Sequence, residues 1–151
     1  GGLDIVSQEA RLKDAVARLA DVGIIVSVFI DAEIAQVEAA ARIGAGVCEV
    51  HTGPYAHAFH AAGRDAESPA VLAEIAKLAR AGEAIRALGL RFNAGHALNY
   101  YNVQPIARLP GIRELHIGHS IVSRSVFTGL REAVKEMKRL MREAADRGFK
   151  A

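Results

Sequence analysis

One structural unit recurs four times along this chain: an amphipathic helical segment, a glycine, a short apolar strand and a polar residue. The strands are predicted at residues 24–30, 47–51, 91–94 and 114–117. Each follows a glycine placed where a helix C-cap requires positive φ, and these glycines are Gly23, Gly44, Gly89 and Gly111. Because helices and strands alternate with short connections, the sequence predicts a parallel sheet covered by helices.

The helical segments carry further evidence. Ser68-Pro69 is a typical helix start, because a capping hydroxyl precedes a proline at the first helical position. Asp31 is placed to cap the helix that follows the first strand. Near the end of the chain, apolar residues at helical spacing predict one long amphipathic helix, through positions 126, 130, 134, 137 and 141.

Two architectures contain such repeated units: an open doubly wound sheet and a (β/α)8 TIM-type barrel. A doubly wound domain of this length supplies its own first strand and about five strands in all, whereas a barrel needs eight strands and roughly 250 residues. This chain of 151 residues opens on a loop and a helix and then shows four strands. We therefore expect residues 1–151 to be a single partial domain, the C-terminal half of a (β/α)8 barrel, supplying about its last four βα units.

Composition excludes several classes of protein. Hydrophobic residues make up 51% of the chain and charged residues 24%, which is typical of a globular domain rather than a disordered one. No apolar stretch approaches the roughly 18 residues of a membrane span, so no membrane partner is expected. The single cysteine, Cys48, lies in a predicted strand, which excludes a disulfide framework, favours a core position and makes the cytoplasm the expected location.

The charge distribution is uneven. The net charge is +2, but residues 121–151 hold eight Lys or Arg residues, the last of them Lys150, against four acidic residues. A basic helix is compatible with nucleic-acid binding. A solvated or subunit-facing helix surface is favoured instead, because the few aromatic residues are not interleaved with the basic ones, and no nucleic-acid partner is expected.

Two similar turns end the third and fourth predicted strands: Asn93-Ala94-Gly95-His96 and Ile117-Gly118-His119-Ser120. In a barrel, phosphate commonly binds after the seventh and eighth strands, which these strands are expected to be. Free backbone N–H groups, together with the start of the helix after Ser120, suit a phosphate dianion that would hold His119 protonated. The alternative is that His96 and His119 are ordinary polar loop residues.

Glu49 is the other informative position. Alternation along the second strand places Glu49 and His51 on one face and Cys48 and Val50 on the other, toward the helices, so that Glu49 points into the barrel. A carboxylate in such a place often orients or stabilises reacting charge. A structural ion pair with an Arg or His explains it equally well.

A metal site is not expected. His116 and His119 are three residues apart, as are His57 and His60, but the first pair straddles a strand end and the second lies in a predicted loop. Carboxylates at ligand spacing are missing. There is no dinucleotide fingerprint and no nucleophile elbow, so redox and acyl-transfer chemistry have no support.

Five ordered motifs together resemble the pyridoxine 5'-phosphate synthase family, and the similarity runs through the whole chain: Gly1-Gly2-Leu3-Asp4, Val28-Phe29-Ile30-Asp31, Glu49-Val50-His51-Thr52-Gly53, Asn93-Ala94-Gly95-His96 and Ile117-Gly118-His119-Ser120-Ile121. The resemblance implies a (β/α)8 barrel that forms homo-octamers in the bacterial cytoplasm. It implies a condensation without cofactor or metal, in which 1-deoxy-D-xylulose 5-phosphate and 3-amino-1-hydroxyacetone 1-phosphate give pyridoxine 5'-phosphate, inorganic phosphate and water.

The resemblance also implies residue roles. His96 matches the family's proton donor and Glu49 its transition-state stabiliser, while Ala97, Gly118 and His119 match positions that hold the phosphate of the aminoketone. Ala97 departs from the family, which commonly has glycine there, and a backbone N–H contact survives this change provided that φ stays negative. The remaining catalytic groups come from the first four strands in the family, so we expect the isolated chain to be inactive.

Two other functions fit the same residues less well. Another phosphosugar barrel, of the aldolase or isomerase type, usually relies on a strand lysine or a metal, and no predicted strand here carries a lysine. A non-catalytic phosphate-binding or assembly module would depend on the basic final helix rather than on the two Gly-His turns.

Overall fold

A computed structural model describes residues 1–148, so that Lys150 of the basic segment lies outside the described residues. Strands and helices alternate as the sequence predicts. The strands are β1 (Ser27–Ile30), β2 (Val47–His51), β3 (Arg91–Gly95) and β4 (Ile112–His116). The helices are α1 (Glu9–Ala20), α2 (Ile34–Arg42), α3 (Gly53–Ala61), α4 (Pro69–Ala87), α5 (Val103–Ala107), α6 (His119–Thr128) and α7 (Leu130–Asp146).

The four strands form one parallel sheet in the order β1-β2-β3-β4. Each strand therefore pairs with the next one along the chain, which is the order that consecutive βα units of a barrel produce. The register places Glu49 level with Phe29 on one side and Asn93 on the other. The prediction of an α/β chain with a parallel sheet is confirmed.

Three of the four predicted strands differ in extent from those of the structure, and β3 ends at Gly95 rather than at residue 94. β1 begins at Ser27 rather than at residue 24, because Ser27 pairs with Val47, the first residue of β2, and the residues before it have no strand to pair with. β4 covers Ile112–His116 rather than 114–117, because Gly118 already serves as the N-cap of α6.

Two expectations about helices are also wrong. The long C-terminal helix is two helices, since Gly129 adopts φ +77° and ψ 150°, a conformation that only glycine takes readily and that ends α6. His57 and His60 lie in helix α3 rather than in a loop, because Gly53-Pro54 starts a helix directly after β2.

The helix-end predictions are confirmed in part. All four repeated glycines have positive φ, between 75° and 84°. At the start of α4, the Ser68 hydroxyl accepts a hydrogen bond from the Val71 N–H at 3.4 Å. Asp31 does not cap α2, whose N-cap is Glu33. Its carboxylate instead accepts a hydrogen bond from the Gly2 N–H and pairs with His51.

The hydrophobic core lies between the sheet and the helices that follow its strands. Cys48, Val50 and Ala94 project from the sheet into this core and are completely buried. The complete burial of Cys48 in this cluster confirms the prediction that it is a core residue, and the same burial raises the pKa of its thiol to about 12. Because one face of each strand is fixed in this core, the alternate residues must face the other side of the sheet.

The basic C-terminal segment forms the outer surface of α6 and α7. Arg124 pairs with Glu136 at 2.9 Å and Arg139 pairs with Glu143 at 2.8 Å, while Met137 of α7 is buried. Such exposed pairs are worth little individually, and they leave the helix face well solvated. Across residues 1–148, no helix is both long and apolar enough to cross a lipid bilayer.

Candidate active site at the carboxyl ends of the strands

A cavity of about 550 Å³ opens where the strands end. Its walls are Phe29 of β1, Glu49 of β2, residues 96–99 after β3 and residues 116–120 at the end of β4 and the start of α6. All five site residues expected from the sequence line this one cavity: Glu49, His96, Ala97, Gly118 and His119. The two Gly-His turns therefore share a single concave surface, because parallel strands bring their carboxyl ends to the same edge of the sheet.

Glu49 faces the cavity as strand alternation predicts, while its neighbours Cys48 and Val50 are completely buried on the opposite face. Its side chain is 19% exposed, and its Oε2 lies 2.6 Å from Nδ1 of His116. The sequence leaves open whether Glu49 stabilises reacting charge or forms an ion pair with an Arg or His. The structure shows the pair with a histidine inside the cavity, so the two interpretations are compatible.

Gly95 makes room for that pair. A Cβ on Gly95 would collide with Oε1 of Glu49 and would lie 3.1 Å from Cβ of His116. Gly95 is paired with His116 across the sheet. The absence of a side chain at Gly95 thus leaves the space through which the carboxylate of Glu49 reaches β4.

His116 is a site residue that the sequence identified only as a weak metal-ligand candidate. Its pKa is raised above the usual histidine value, chiefly by the hydrogen bond to Glu49. Glu114, whose Oε2 lies 3.3 Å from Nε2, raises the pKa further, and partial burial opposes both. Strand alternation is the signal that could have identified His116. It lies two residues before Gly118 of the second Gly-His turn and therefore faces the same side of the sheet as that turn.

The turn after β3 has an unusual backbone. His96 adopts φ +81° and Ala97 adopts φ +58°, so two successive non-glycine residues are in the left-handed region. The condition set for Ala97, a negative φ, is not met, because the chain turns sharply out of β3 at this point. Left-handed conformations cost L-residues roughly 1–2 kcal/mol each, and they persist only where neighbouring groups fix them.

Two buried polar side chains fix this turn. Thr52, fully buried at the end of β2, brings its hydroxyl within 2.7 Å of the Gly95 carbonyl oxygen and 2.5 Å of the His96 carbonyl oxygen. Asn102, 1% exposed, donates to the Ala97 carbonyl oxygen at 3.2 Å and accepts from the Asn99 N–H at 2.7 Å. The sequence assigned no role to either residue.

His96 also packs against a second histidine. The rings of His96 and His51 are 4.9 Å apart and nearly perpendicular, at 67°. His51 Nδ1 lies 2.8 Å from Oδ1 of Asp31, which fixes the orientation of the His51 ring. Burial raises the pKa of Asp31, but the hydrogen bonds from His51 and from the Gly2 N–H outweigh it, and the net shift is downward.

The second Gly-His turn leads directly into a helix. Gly118 is the N-cap of α6 and His119 its first residue, two residues earlier than a helix that starts after Ser120. The unpaired N–H groups of a helix's first turn and its dipole favour an anion. Ser120 donates a hydrogen bond from its hydroxyl to the Leu98 carbonyl oxygen at 2.9 Å and so joins the two turns.

The histidines give no metal-binding cluster in the part of the chain that the structure describes: no three His, Cys, Asp or Glu residues there form a group that could hold an ion. His57 and His60 lie along α3 beside a smaller cavity of about 220 Å³ that also includes Arg64 and Tyr101. They do not line the larger cavity.

Known proteins similar in sequence to this chain carry the name of the family that the five motifs resemble. The chain is 85% identical over 145 residues to the pyridoxine 5'-phosphate synthase of an Azoarcus species, 81% identical over 148 residues to that of Aromatoleum aromaticum, and 77% identical over 148 residues to that of Dechloromonas aromatica. These matches cover 96–98% of this chain but only 58–59% of each relative, so the chain spans under two thirds of their length. A family model described as "Pyridoxal phosphate biosynthesis protein PdxJ" matches residues 1–143, and the chain therefore belongs to that family.

Proposed function

We propose that the protein containing this chain is a pyridoxine 5'-phosphate synthase. It condenses 1-deoxy-D-xylulose 5-phosphate with 3-amino-1-hydroxyacetone 1-phosphate and releases pyridoxine 5'-phosphate, inorganic phosphate and water by acid/base catalysis. The observation that carries this proposal is the convergence of Glu49, His96 and the Gly118-His119 turn on one cavity. The names of three relatives at 77–85% identity support it.

His96 is the proposed proton donor. Ring closure with loss of water requires a group that delivers a proton to a departing hydroxyl, and imidazole does this near neutral pH. The side chain of His96 is exposed to the cavity, and its backbone is fixed by Thr52. A donor on a fixed backbone can be aimed at one atom of a bound substrate, which is what positioned acid catalysis needs.

Glu49 is the proposed transition-state stabiliser. Positive charge develops when the amino group of one substrate adds to a carbonyl carbon of the other and water is lost after proton transfer, which leaves an iminium-like species. The carboxylate of Glu49 faces the cavity from β2, in a partly buried place where electrostatic stabilisation is stronger than in water.

The phosphate of the aminoketone is proposed to lie between the two turns. Ala97, Gly118 and His119 line the cavity there, and the N-terminus of α6 adds unpaired N–H groups. Ala97 keeps its N–H at a positive φ, in a turn where its carbonyl oxygen accepts from Asn102, so the contact is proposed to be made at the cost of a strained alanine. None of the four described strands carries a lysine, which disfavours an aldolase that works through a Schiff base.

The complete (β/α)8 barrel, the homo-octamer and the cytoplasmic location belong to the same proposal. They are supported by the four consecutive parallel strands and by the family to which the chain belongs. The groups that bind deoxyxylulose phosphate are proposed to come from the rest of that barrel.

The direct test is to supply the full-length protein with both substrates and to follow pyridoxine 5'-phosphate and inorganic phosphate together. One phosphate released for each pyridoxine 5'-phosphate formed is the expected result, without added metal and in the presence of a chelator. Failure to form pyridoxine 5'-phosphate, or turnover that the chelator abolishes, would overturn the proposal.

A further inference from the structure

We propose that His116 is a positioning residue of this site: as an imidazolium held between two carboxylates, it fixes the side chain of Glu49 in the orientation in which Glu49 acts. The inference rests on the proposed function of Glu49 and adds a residue whose role neither the motifs nor the comparisons assign. Its evidence is the contact between Glu49 and His116 and the surroundings of both groups.

The sheet register makes this contact possible. His116 is paired with Gly95, and Glu49 approaches from β2, the strand on the other side of β3, where it is level with Asn93, two residues before Gly95. Any side chain at Gly95 would occupy the space that Oε1 of Glu49 now fills. β2 and β4 therefore contact each other across β3 at this level, and the 2.6 Å bond from His116 Nδ1 to Glu49 Oε2 spans that gap.

The second ring nitrogen is engaged as well. Nε2 of His116 lies 3.3 Å from Oε2 of Glu114, on the same strand. Asn93 of β3 donates from Nδ2 to that same Glu114 oxygen at 3.4 Å and helps to orient it. A carboxylate only accepts hydrogen bonds, and a neutral imidazole has a single N–H to donate. Two carboxylates on two ring nitrogens are both satisfied only by the imidazolium.

The charges around His116 favour that form. Glu49 faces it from β2 and Glu114 from β4, and both raise its pKa, while His96 and His119 line the same cavity. The result is a row of carboxylate, imidazolium and carboxylate across β2 and β4. A glutamate side chain has three rotatable bonds, and the short bond to His116 selects one of its orientations before substrate binds.

This arrangement predicts how substitution acts. Asn at position 116 keeps an N–H close to the place of Nδ1 but carries no charge, whereas Leu keeps the volume and removes both donors. Misplacing a catalytic group by about 1 Å costs on the order of 10²-fold in rate. We expect His116→Leu in the full-length enzyme to lower kcat by about 10–100-fold with little change in KM, and His116→Asn to lower it less.

Two readouts separate positioning from a merely structural role. In a cycle with Glu49→Gln, the loss caused by His116→Leu should nearly vanish, because the carboxylate to be positioned is gone. In the wild-type enzyme, kcat should fall at alkaline pH as His116 loses its proton. This fall should be missing from the kcat–pH profile of His116→Asn. Should His116→Leu misfold, His116→Asn and its pH profile still test the proposal.

The outcomes distinguish this inference from the proposed function. If the wild-type enzyme forms no pyridoxine 5'-phosphate, both are overturned. If the wild-type enzyme is active but the two substitutions act additively, or His116→Asn keeps the full fall of kcat at alkaline pH, then positioning by His116 is overturned and the proposed function stands.

Discussion

The buried hydroxyl of Thr52 lies 2.5 Å from the carbonyl oxygen of His96. The proposed proton donor is thus fixed from a neighbouring strand, since Thr52 follows β2 and His96 follows β3. His96 has φ +81°, which is uncommon for any residue other than glycine. The unusual backbone of the site is therefore maintained by groups that lie outside the cavity.

Replacing Thr52 tests this support. Thr52→Val keeps the branched shape but removes the hydroxyl. The Gly95 carbonyl oxygen still accepts from the backbone N–H of residue 52 at 2.9 Å, whereas the His96 carbonyl oxygen loses its hydroxyl donor, so we expect the free energy of unfolding to fall by about 1–3 kcal/mol. Thr52→Ser keeps the hydroxyl, so its free energy of unfolding should fall by less. Urea unfolding of the full-length variants measures both. Equal losses for Val and Ser would show that the methyl group, not the hydroxyl, supports the turn.

Ala97 is strained at φ +58°, and glycine should relieve it. The left-handed conformation costs alanine roughly 1–2 kcal/mol, which glycine would avoid. Glycine loses more chain entropy on folding than alanine, and this offsets about 0.5–1 kcal/mol of the gain. We expect Ala97→Gly to raise the free energy of unfolding by up to about 1 kcal/mol. The matched control is Ala76→Gly, an exposed position inside α4, which should lose about 0.5–1 kcal/mol. Similar losses at the two positions would contradict the strained turn.

The stability of the protein should depend on pH through His116. Its pKa is raised in the folded state, so its pairs with Glu49 and Glu114 contribute fully below the usual histidine value of 6.5 and are lost as pH rises through the folded-state pKa. We therefore expect the stability difference between wild type and His116→Asn to be larger at about pH 6 than at about pH 9.

Glu49→Gln serves as the control for that pH dependence. The Glu49 hydrogen bond is the largest cause of the raised pKa, so most of the pH dependence should disappear in the Glu49→Gln background. If the pH dependence of stability is unchanged in that background, it arises from a group other than the Glu49–His116 pair.

The alternation of residues predicts much of this site, and it does so for a physical reason. A strand with one face fixed in the core must present every second residue on the other side, which is why the cavity-facing position of Glu49 follows from its buried neighbours Cys48 and Val50. The meeting of the two Gly-His turns follows from the common direction of parallel strands. The first feature depends only on neighbouring residues in one strand, and the second depends only on the order and direction of the strands.

The remaining features depend on register and on loop geometry. The pairing of β3 with β4 shifts between Phe92 and Asn93, and this irregularity decides that His116 lies beside Gly95. The hydrogen bond from Asn102 to Ala97 depends on the path of the loop between them. Neither has a periodic pattern in the sequence. The apolar spacing continues across Gly129 and so predicts one helix, although a glycine after a helical run is a common stop.

Turnover by a His96 variant tests the central claim most directly. In the full-length protein, His96→Asn should lower the rate of pyridoxine 5'-phosphate formation by about 10²–10⁴-fold, the usual contribution of a positioned acid. His57→Asn, an exposed change on α3 outside the larger cavity, should leave the rate within about twofold of wild type. Rates for His96→Asn that match those of His57→Asn would contradict the account, because the cavity would then carry out no proton transfer through His96.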